Sequence, residues 1–175
     1  MRLIAVDTET TGLNYKGNVC KDHRIIEIAC VEIVHGVITG KEFHAFVNPQ
    51  MKISAKAKNI HGTSDEFLKD KPLFKDIVKP FLDFIGGDTV IIHNAPFDIA
   101  FLNKEFSILK EKDKPTQTFN YVDTLAIARS IFPGEDNTLD ALCNKFGLTD
   151  KKKRDCHSAL EDARMLAELY LKVFI

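Results

Sequence analysis

Long apolar runs are missing from this sequence, and no segment approaches the length that a membrane-spanning helix demands. Met1-Arg2 leads straight into an apolar strand pattern, so the sequence predicts no secretory leader. Paired, metal-type cysteine spacing is also missing. Cys20, Cys30, Cys143 and Cys156 form no zinc-like cluster, and two of them sit inside apolar patterns, which suits reduced thiols in a cytoplasmic compartment. Net charge is nearly absent, at −1, which argues against a protein that coats nucleic acid electrostatically. A chain of this kind that handles nucleic acid would grip a short piece through local contacts. The one dense basic run is Lys151-Lys152-Lys153-Arg154, just ahead of His157, and such a run is usually a solvated loop. No internal repeat, low-complexity tract or linker is visible. Ordinary apolar and charged fractions over 175 residues predict one domain, 1–175, large enough for a core.

What is present begins with Leu3-Ile4-Ala5-Val6, an apolar run without helical period that reads as a strand covered on both faces. It ends in Asp7-Thr8-Glu9-Thr10-Thr11-Gly12. Strand side chains alternate with period two, so Asp7 and Glu9 point the same way, in line with Leu3 and Ala5. Two carboxylates aimed at one semi-buried spot repel each other, and a hard cation such as Mg²⁺ or Mn²⁺ would relieve that. The plainer reading is that the chain has left the sheet there and both acids face water. After a polar loop from Asn14 to His23, Arg24 to Val34 and Val37 to Val47 read as a hairpin turned at His35-Gly36. Glu27, inside the second strand, reads as a structural acid paired with a backbone or basic group.

Ser54 to Ile60 predicts a short helix stopped by His61-Gly62. Phe74, Ile77, Val78, Phe81, Leu82 and Ile85 recur at helical spacing up to Gly86-Gly87. Thr89 to His93 reads as a strand, Asn94 as the N-cap of a helix with Pro96 in its first turn, and Phe97, Phe101, Leu102, Phe106 and Leu109 as that helix's apolar side. Lys110 to Gln117 reads as a charged loop, Phe119 to Val122 as a short strand, and Asp123 as the cap of a helix through Phe132. Asn137 starts another helix through Phe146. The last helix carries Ala159, Leu160, Ala163, Leu166, Ala167, Tyr170, Leu171 and Phe174 as a stripe, with Ser158 and Glu161 in a capping-box pattern. Strands first and helix–strand alternation after them predict an α/β domain with a mixed sheet flanked by helices.

Asp98 falls in the first turn of a helix that follows a strand, and the ends of such strands are where ligands gather in open α/β sheets. Alone, Asp98 is most simply a helix N-terminal acid. Asp162 lies inside the last helix and His157 just outside it, a rigid carboxylate beside a proton acceptor on looser backbone. The same spacing recurs in His93 and Asp98, and chance supplies such pairs, so neither decides anything by itself. His93 ends an apolar strand, where a satisfied structural histidine is the simpler reading. Taken together, four acids at strand ends and helix starts with one histidine, and no nucleophile elbow, point to metal-assisted hydrolysis of a phosphoester. Two divalent cations roughly 3.5–4 Å apart activate water and stabilise the leaving oxygen, and a neutral histidine takes the proton. This chemistry does not choose the polymer or the polarity.

The segments Ile4 to Gly12, His93-Asn94-Ala95-Pro96-Phe97-Asp98 and His157-Ser158-Ala159-Leu160-Glu161-Asp162 resemble, in order and spacing, the three motifs of the DEDDh 3′–5′ exonucleases. Across about Leu3 to Leu171, including Ile25-Ile26-Glu27-Ile28, Ile60-His61-Gly62 and Asn137 to Cys143, the chain is similar to the exonuclease domains of bacterial polymerase III proofreading subunits. The resemblance implies a ribonuclease H-like fold, with an antiparallel meander first and parallel strands after it in a five-stranded sheet. It implies release of mononucleotides from a single-stranded DNA 3′ end with two Mg²⁺ or Mn²⁺ ions. It makes Asp7, Glu9, Asp98 and Asp162 the metal carboxylates and His157 the general base. Thr10, Ile60, His61 and Phe97 then match positions lining the terminal nucleotide's site, although Ile60 and Phe97 also suit core packing and His61 a helix end. At Lys56 some relatives carry an acid that contacts substrate. Full-length relatives continue into a tail that binds the DNA polymerase III catalytic subunit; this sequence stops at Ile175 without a clamp-binding motif or linker, which predicts either a truncated piece or a stand-alone member. A ribonuclease T-like enzyme trimming RNA 3′ ends shares the motifs, and a nuclease-fold scaffold without turnover is the non-enzymatic alternative.

Overall fold

The computed structural model describes residues 1–110, 119–148 and 156–175, so the basic run 151–154 and most of the charged loop lie outside the described residues. Five strands form one mixed sheet in the order β3-β2-β1-β4-β5. They are β1 (Arg2–Thr10), β2 (Ile25–Val34), β3 (Val37–Phe46), β4 (Thr89–Ile92) and β5 (Tyr121–Asp123). β1 to β3 form an antiparallel meander, while β4 runs parallel to β1 and β5 parallel to β4. The helices are α1 (Ala55–His61), α2 (Asp65–Leu68), α3 (Phe74–Ile85), α4 (Ala95–Ile108), α5 (Thr124–Ile131), α6 (Leu139–Lys145) and α7 (Ala159–Val173). The ribonuclease H-like arrangement expected from the resemblance is the one observed.

β1 is central and longer than its apolar run, because pairing with β2 continues through Asp7, Thr8 and Glu9 before the register shifts at Thr10. The reading in which the chain leaves the sheet after Val6 is therefore corrected: both acids stand on strand backbone. Period-two alternation divides the core. Ile4, Val6, Ile28, Cys30 and Ile92 pack with Phe81, Ile85, Phe101 and Phe106 of α3 and α4. Leu3, Ala5, Ala29, Val31 and Ile91 pack with Ala159, Ala163, Leu166 and Ala167 of α7 on the other face. Asp7 and Glu9 share the α7 face, since they follow Leu3 and Ala5 at even intervals. Alanine meets alanine where α7 crosses the sheet, which lets the helix approach closely in a close-packed interior.

Several local expectations are corrected. The helix expected from Asn137 starts later, with Thr138 as N-cap accepting from Ala141 N at 3.3 Å, while Asn137 Nδ2 donates to the Phe132 and Glu135 carbonyls. Asn94 does occupy the N-cap of α4, but in the left-handed region (φ 74°) and without a side-chain cap bond; its own N–H donates to Asp123 Oδ1. Asparagine tolerates that conformation better than most residues. The capping box of α7 does not form, because Ser158 turns its hydroxyl to Glu27 instead. Helix α2 has no counterpart in the sequence reading; four residues are too few to show a period.

One ion pair fastens the start of β2 to α4. Arg24 Nε and Nη2 each donate to Glu105 at 2.7 Å, and Ile25 N donates to the same buried carboxylate. Removing one partner of such a pair leaves a buried charge uncompensated, at a cost of about 3 kcal/mol or more. Arg24→Ala should accordingly lower the melting temperature by roughly 6–12 °C, read by calorimetry; an unchanged Tm would mean Glu105 finds a substitute partner.

Candidate active site

The C-terminal end of β1 collects the acids. Asp7 and Glu9 come from the strand itself, Asp98 from the first turn of α4, and Asp162 from the first turn of α7. β4 runs beside β1 in parallel and delivers α4 to the same end of the sheet. Asp98 is buried and accepts from Thr8 Oγ1 at 2.7 Å, so the residue between Asp7 and Glu9 fixes the third acid from the opposite face. His157 stands on non-helical backbone, its N–H donating to the Ile60 carbonyl at 2.9 Å. Its Nδ1 donates to Asp162 Oδ2 at 3.1 Å, and its Nε2 lies 3.8 Å from Asp140 Oδ2. Donor atoms of Glu9, His157 and Asp162 all fall within 4.8 Å of one another. Asp7 and Asp98 adjoin this trio as charges: Asp98, Asp162, Glu9 and Glu27 all act on Asp7.

The electrostatics follow from crowding like charges out of water. Burial, and then Asp98, Asp162, Glu9 and Glu27, hold the Asp7 carboxyl well above the usual range. Burial with Asp162 and Glu27 pushes Glu9 from an ordinary 4.5 up to about 8, against an opposing pull from His157. Burial pushes Asp98 up to about 7 despite the Thr8 hydrogen bond. Every charged neighbour raising Asp7 is itself a carboxylate, and a cluster of hard carboxylate oxygens is the donor set that suits Mg²⁺ or Mn²⁺. The cluster therefore fits a divalent cation.

A raised carboxylate pKa favours the folded state while the group is protonated in both states, below about 4.5 for Glu9, and this contribution is lost as pH rises through about 8. Without divalent cations the melting temperature should thus fall between pH 5 and 8.5. At pH 8, Mn²⁺ at a hundred times its Kd should add about 2.7 kcal/mol, or roughly 5–10 °C. Thermal melts with and without chelator check this; a melting temperature flat in pH and indifferent to Mn²⁺ would contradict the cluster's role.

Thr10, Ile60, His61 and Phe97 line a cleft of about 340 Å³ that opens from Thr8 and Glu9 and also includes Tyr15 and Lys56. The core reading of Ile60 is corrected, since Ile60 is 44% exposed at the cleft wall. Phe97 is half-buried and stacks against Phe101 at 4.8 Å between centroids, serving core and cleft together. His61 is buried, its Nδ1 accepts from Thr63 N, and burial lowers its pKa, so the ring is neutral. Thr10 donates to the Gly12 carbonyl. Gly12 is required here: at φ 144° a Cβ would stand 2.8 Å from His23 and from Ser54 Oγ. Lys56 places its ammonium 4.2 Å from the Tyr15 ring centroid at the cleft mouth. Another cavity, about 420 Å³ beside Arg24 and Lys75, contains none of the clustered acids.

His93 is not part of this assembly. Its Nδ1 contacts Thr124 Oγ1 and its Nε2 donates to the Asn137 carbonyl, both at 2.9 Å. Two further acids neighbour the site: Glu27, directly opposite Glu9 in the β1–β2 register, and Asp140, early in α6 beside His157, which the sequence reading did not single out. The sequence makes Glu27 a structural acid, and the partners it finds are the side chains of His44 and Ser158.

A mixed α/β sheet whose central strand ends in clustered carboxylates, beside a histidine and an open cleft, defines a nuclease-type hydrolase. The chain matches the exonuclease family (RNase_T) over residues 4–170 and belongs to it, a family that depends on divalent metal. It is 51% identical over 174 residues to the DNA polymerase III subunit epsilon of Rickettsia conorii, covering 99% of this chain and 74% of the relative. The Escherichia coli K12 protein of that name is 48% identical over 171 residues, covering 97% and 70%. Among solved structures, Exonuclease X in complex with 5′ overhanging duplex DNA superposes with a TM-score of 0.73 at 26% identity, covering 98% of this chain and 90% of that one. A full-length 3′-exonuclease superposes at 0.77 with 17% identity, covering 99% and 60%, and shares the fold.

Proposed function

We propose that this chain is a proofreading 3′–5′ exodeoxyribonuclease that hydrolyses phosphodiester bonds at single-stranded DNA 3′ ends and releases mononucleotides. The observation that carries the reading is the convergence of donor atoms of Glu9, His157 and Asp162 within 4.8 Å of one another, with Asp7 and Asp98 acting on the same cluster as charges and Glu9 also lining the cleft. Identity of about half to epsilon subunits over nearly the whole chain supports DNA as substrate and replication as setting. On this reading Asp7, Glu9, Asp98 and Asp162 hold two divalent cations, Mg²⁺ or Mn²⁺. When bound, these ions supply Lewis-acid activation of water and charge stabilisation at the phosphodiester. Asp162 fixes the proton of His157 on Nδ1, so Nε2 is the basic nitrogen that accepts the proton of the attacking water. Thr10, Ile60, His61 and Phe97 seat the terminal nucleotide, with apolar walls for its base and sugar. The catalytic subunit of DNA polymerase III is the partner this reading implies.

The test is digestion of 5′-labelled single-stranded DNA and RNA oligonucleotides with Mg²⁺ or Mn²⁺, with and without chelator. A ladder shortening from the DNA 3′ end only when metal is present is the expected result. A marked preference for RNA would select the ribonuclease T-like alternative, and equal activity in excess chelator would overturn the metal assignment.

A further inference from the structure

Ser158 holds the N-cap position of α7, yet its hydroxyl makes no cap bond. It donates to Glu27 Oε1 on β2 at 3.0 Å, and the same oxygen accepts from His44 Nε2 on β3 at 2.8 Å. Glu27 is only 1% exposed, and a buried carboxylate is costly unless hydrogen-bonded. Two donors from different elements meet that need. The β1–β2 register places Glu27 directly opposite Glu9, so the tether anchors beside the acid cluster rather than at a remote edge.

The tether acts on a sensitive point. Ser158 separates His157 from the helix that carries Asp162. The buried face of α7 opens with Ala159 and Ala163 and reaches its first bulky buried residue at Leu166, so apolar packing fixes the start of the helix less than its middle. A second link, Arg164 Nε and Nη2 to Glu42 at 2.7 Å, lies on the surface, where such pairs are weak. The buried polar contact at the helix start is the better determinant of where α7 begins.

We infer that Glu27 is a positioning residue for the hydrolytic reaction: by holding Ser158 it sets His157 and Asp162 against Asp7 and Glu9. It touches neither substrate nor water in this role. The inference rests on the exonuclease reading of the site, and wild-type activity on a single-stranded DNA oligonucleotide checks that reading first.

Ser158→Ala in the full chain is the test. Loss of one hydrogen bond should move Tm by only a few degrees. Loss of an outer contact that orients metal ligands should lower kcat and Mn²⁺ affinity by about 10–100-fold, with KM nearly unchanged. Ser158→Thr, which keeps the hydroxyl, should recover most of both. Wild-type kcat and Mn²⁺ affinity in folded Ser158→Ala would overturn the inference while leaving the exonuclease reading intact. Should Ser158→Ala melt below assay temperature, the same comparison made at a temperature where it is folded decides: a kcat loss at constant KM supports the role, and full kcat refutes it.

Discussion

Asp7→Asn is expected to abolish measurable turnover while leaving the metal-free protein at least as heat-stable as wild type. The two outcomes have one cause. Asp7 is enclosed among Asp98, Asp162, Glu9 and Glu27, whose charges oppose its ionisation. Replacing its carboxylate with an amide of the same shape removes that repulsion from the metal-free fold. The same change removes an anionic oxygen from a site whose chemistry depends on cation charge. Metal-ion stabilisation of a transition state is worth several kcal/mol, so the rate should fall on the order of 10³-fold or more. Single-turnover digestion at saturating Mn²⁺, together with a melt in chelator, measures both. A stable variant that kept even a tenth of the wild-type rate would remove Asp7 from the reacting centre. A variant that melted far below wild type would show that Asp7 holds the sheet together rather than a ligand.

His157→Ala is expected to cut kcat by about two to four orders of magnitude, the usual scale for losing a general base, with Mn²⁺ still bound. The four carboxylates remain in the chain, and the His157 side chain's bond is to one of them, Asp162, which α7 still carries. His93→Ala is the contrasting variant. It strips partners from Thr124 and the Asn137 carbonyl and should cost about 2 kcal/mol of stability, with little effect on the rate per folded molecule. Calorimetric Mn²⁺ titration and a kcat series separate the two. The opposite pattern, full activity without His157 and none without His93, would move the base to β4.

Much of the site was legible before any coordinates, for reasons specific to each residue. Asp7 and Glu9 share the α7 face because strand alternation is a local property of the backbone, and Leu3 and Ala5 mark which face that is. Asp98 was placed by the punctuation of strand, Asn94 and Pro96. His157 and Asp162 needed the three motifs together, since an equal spacing exists in His93 and Asp98. What local signals missed depended on distant partners. Ser158 and Glu161 have the pattern of a capping box, but an acid 131 positions earlier in the chain takes the hydroxyl. Asp140 reads as an ordinary first-turn acid of α6 until the start of α7 is brought against it. Ile60 reads as core by composition; the family resemblance put it beside the terminal nucleotide, and the packing around α1 sets it in a cleft wall.

The alanine seam between α7 and the sheet has a consequence for how such a site can vary over time. Ala5, Ala29, Ala159, Ala163 and Ala167 set the gap across which Asp7 and Asp162 face each other. A single added methyl or isobutyl group there would wedge the helix outward and separate Asp7 from Asp162 without altering any acid. Tolerance to substitution should therefore be lowest not only at the charged residues but along this chemically inert strip. In a random-variant screen, inactive clones that still fold would be found at positions with no reactive group at all.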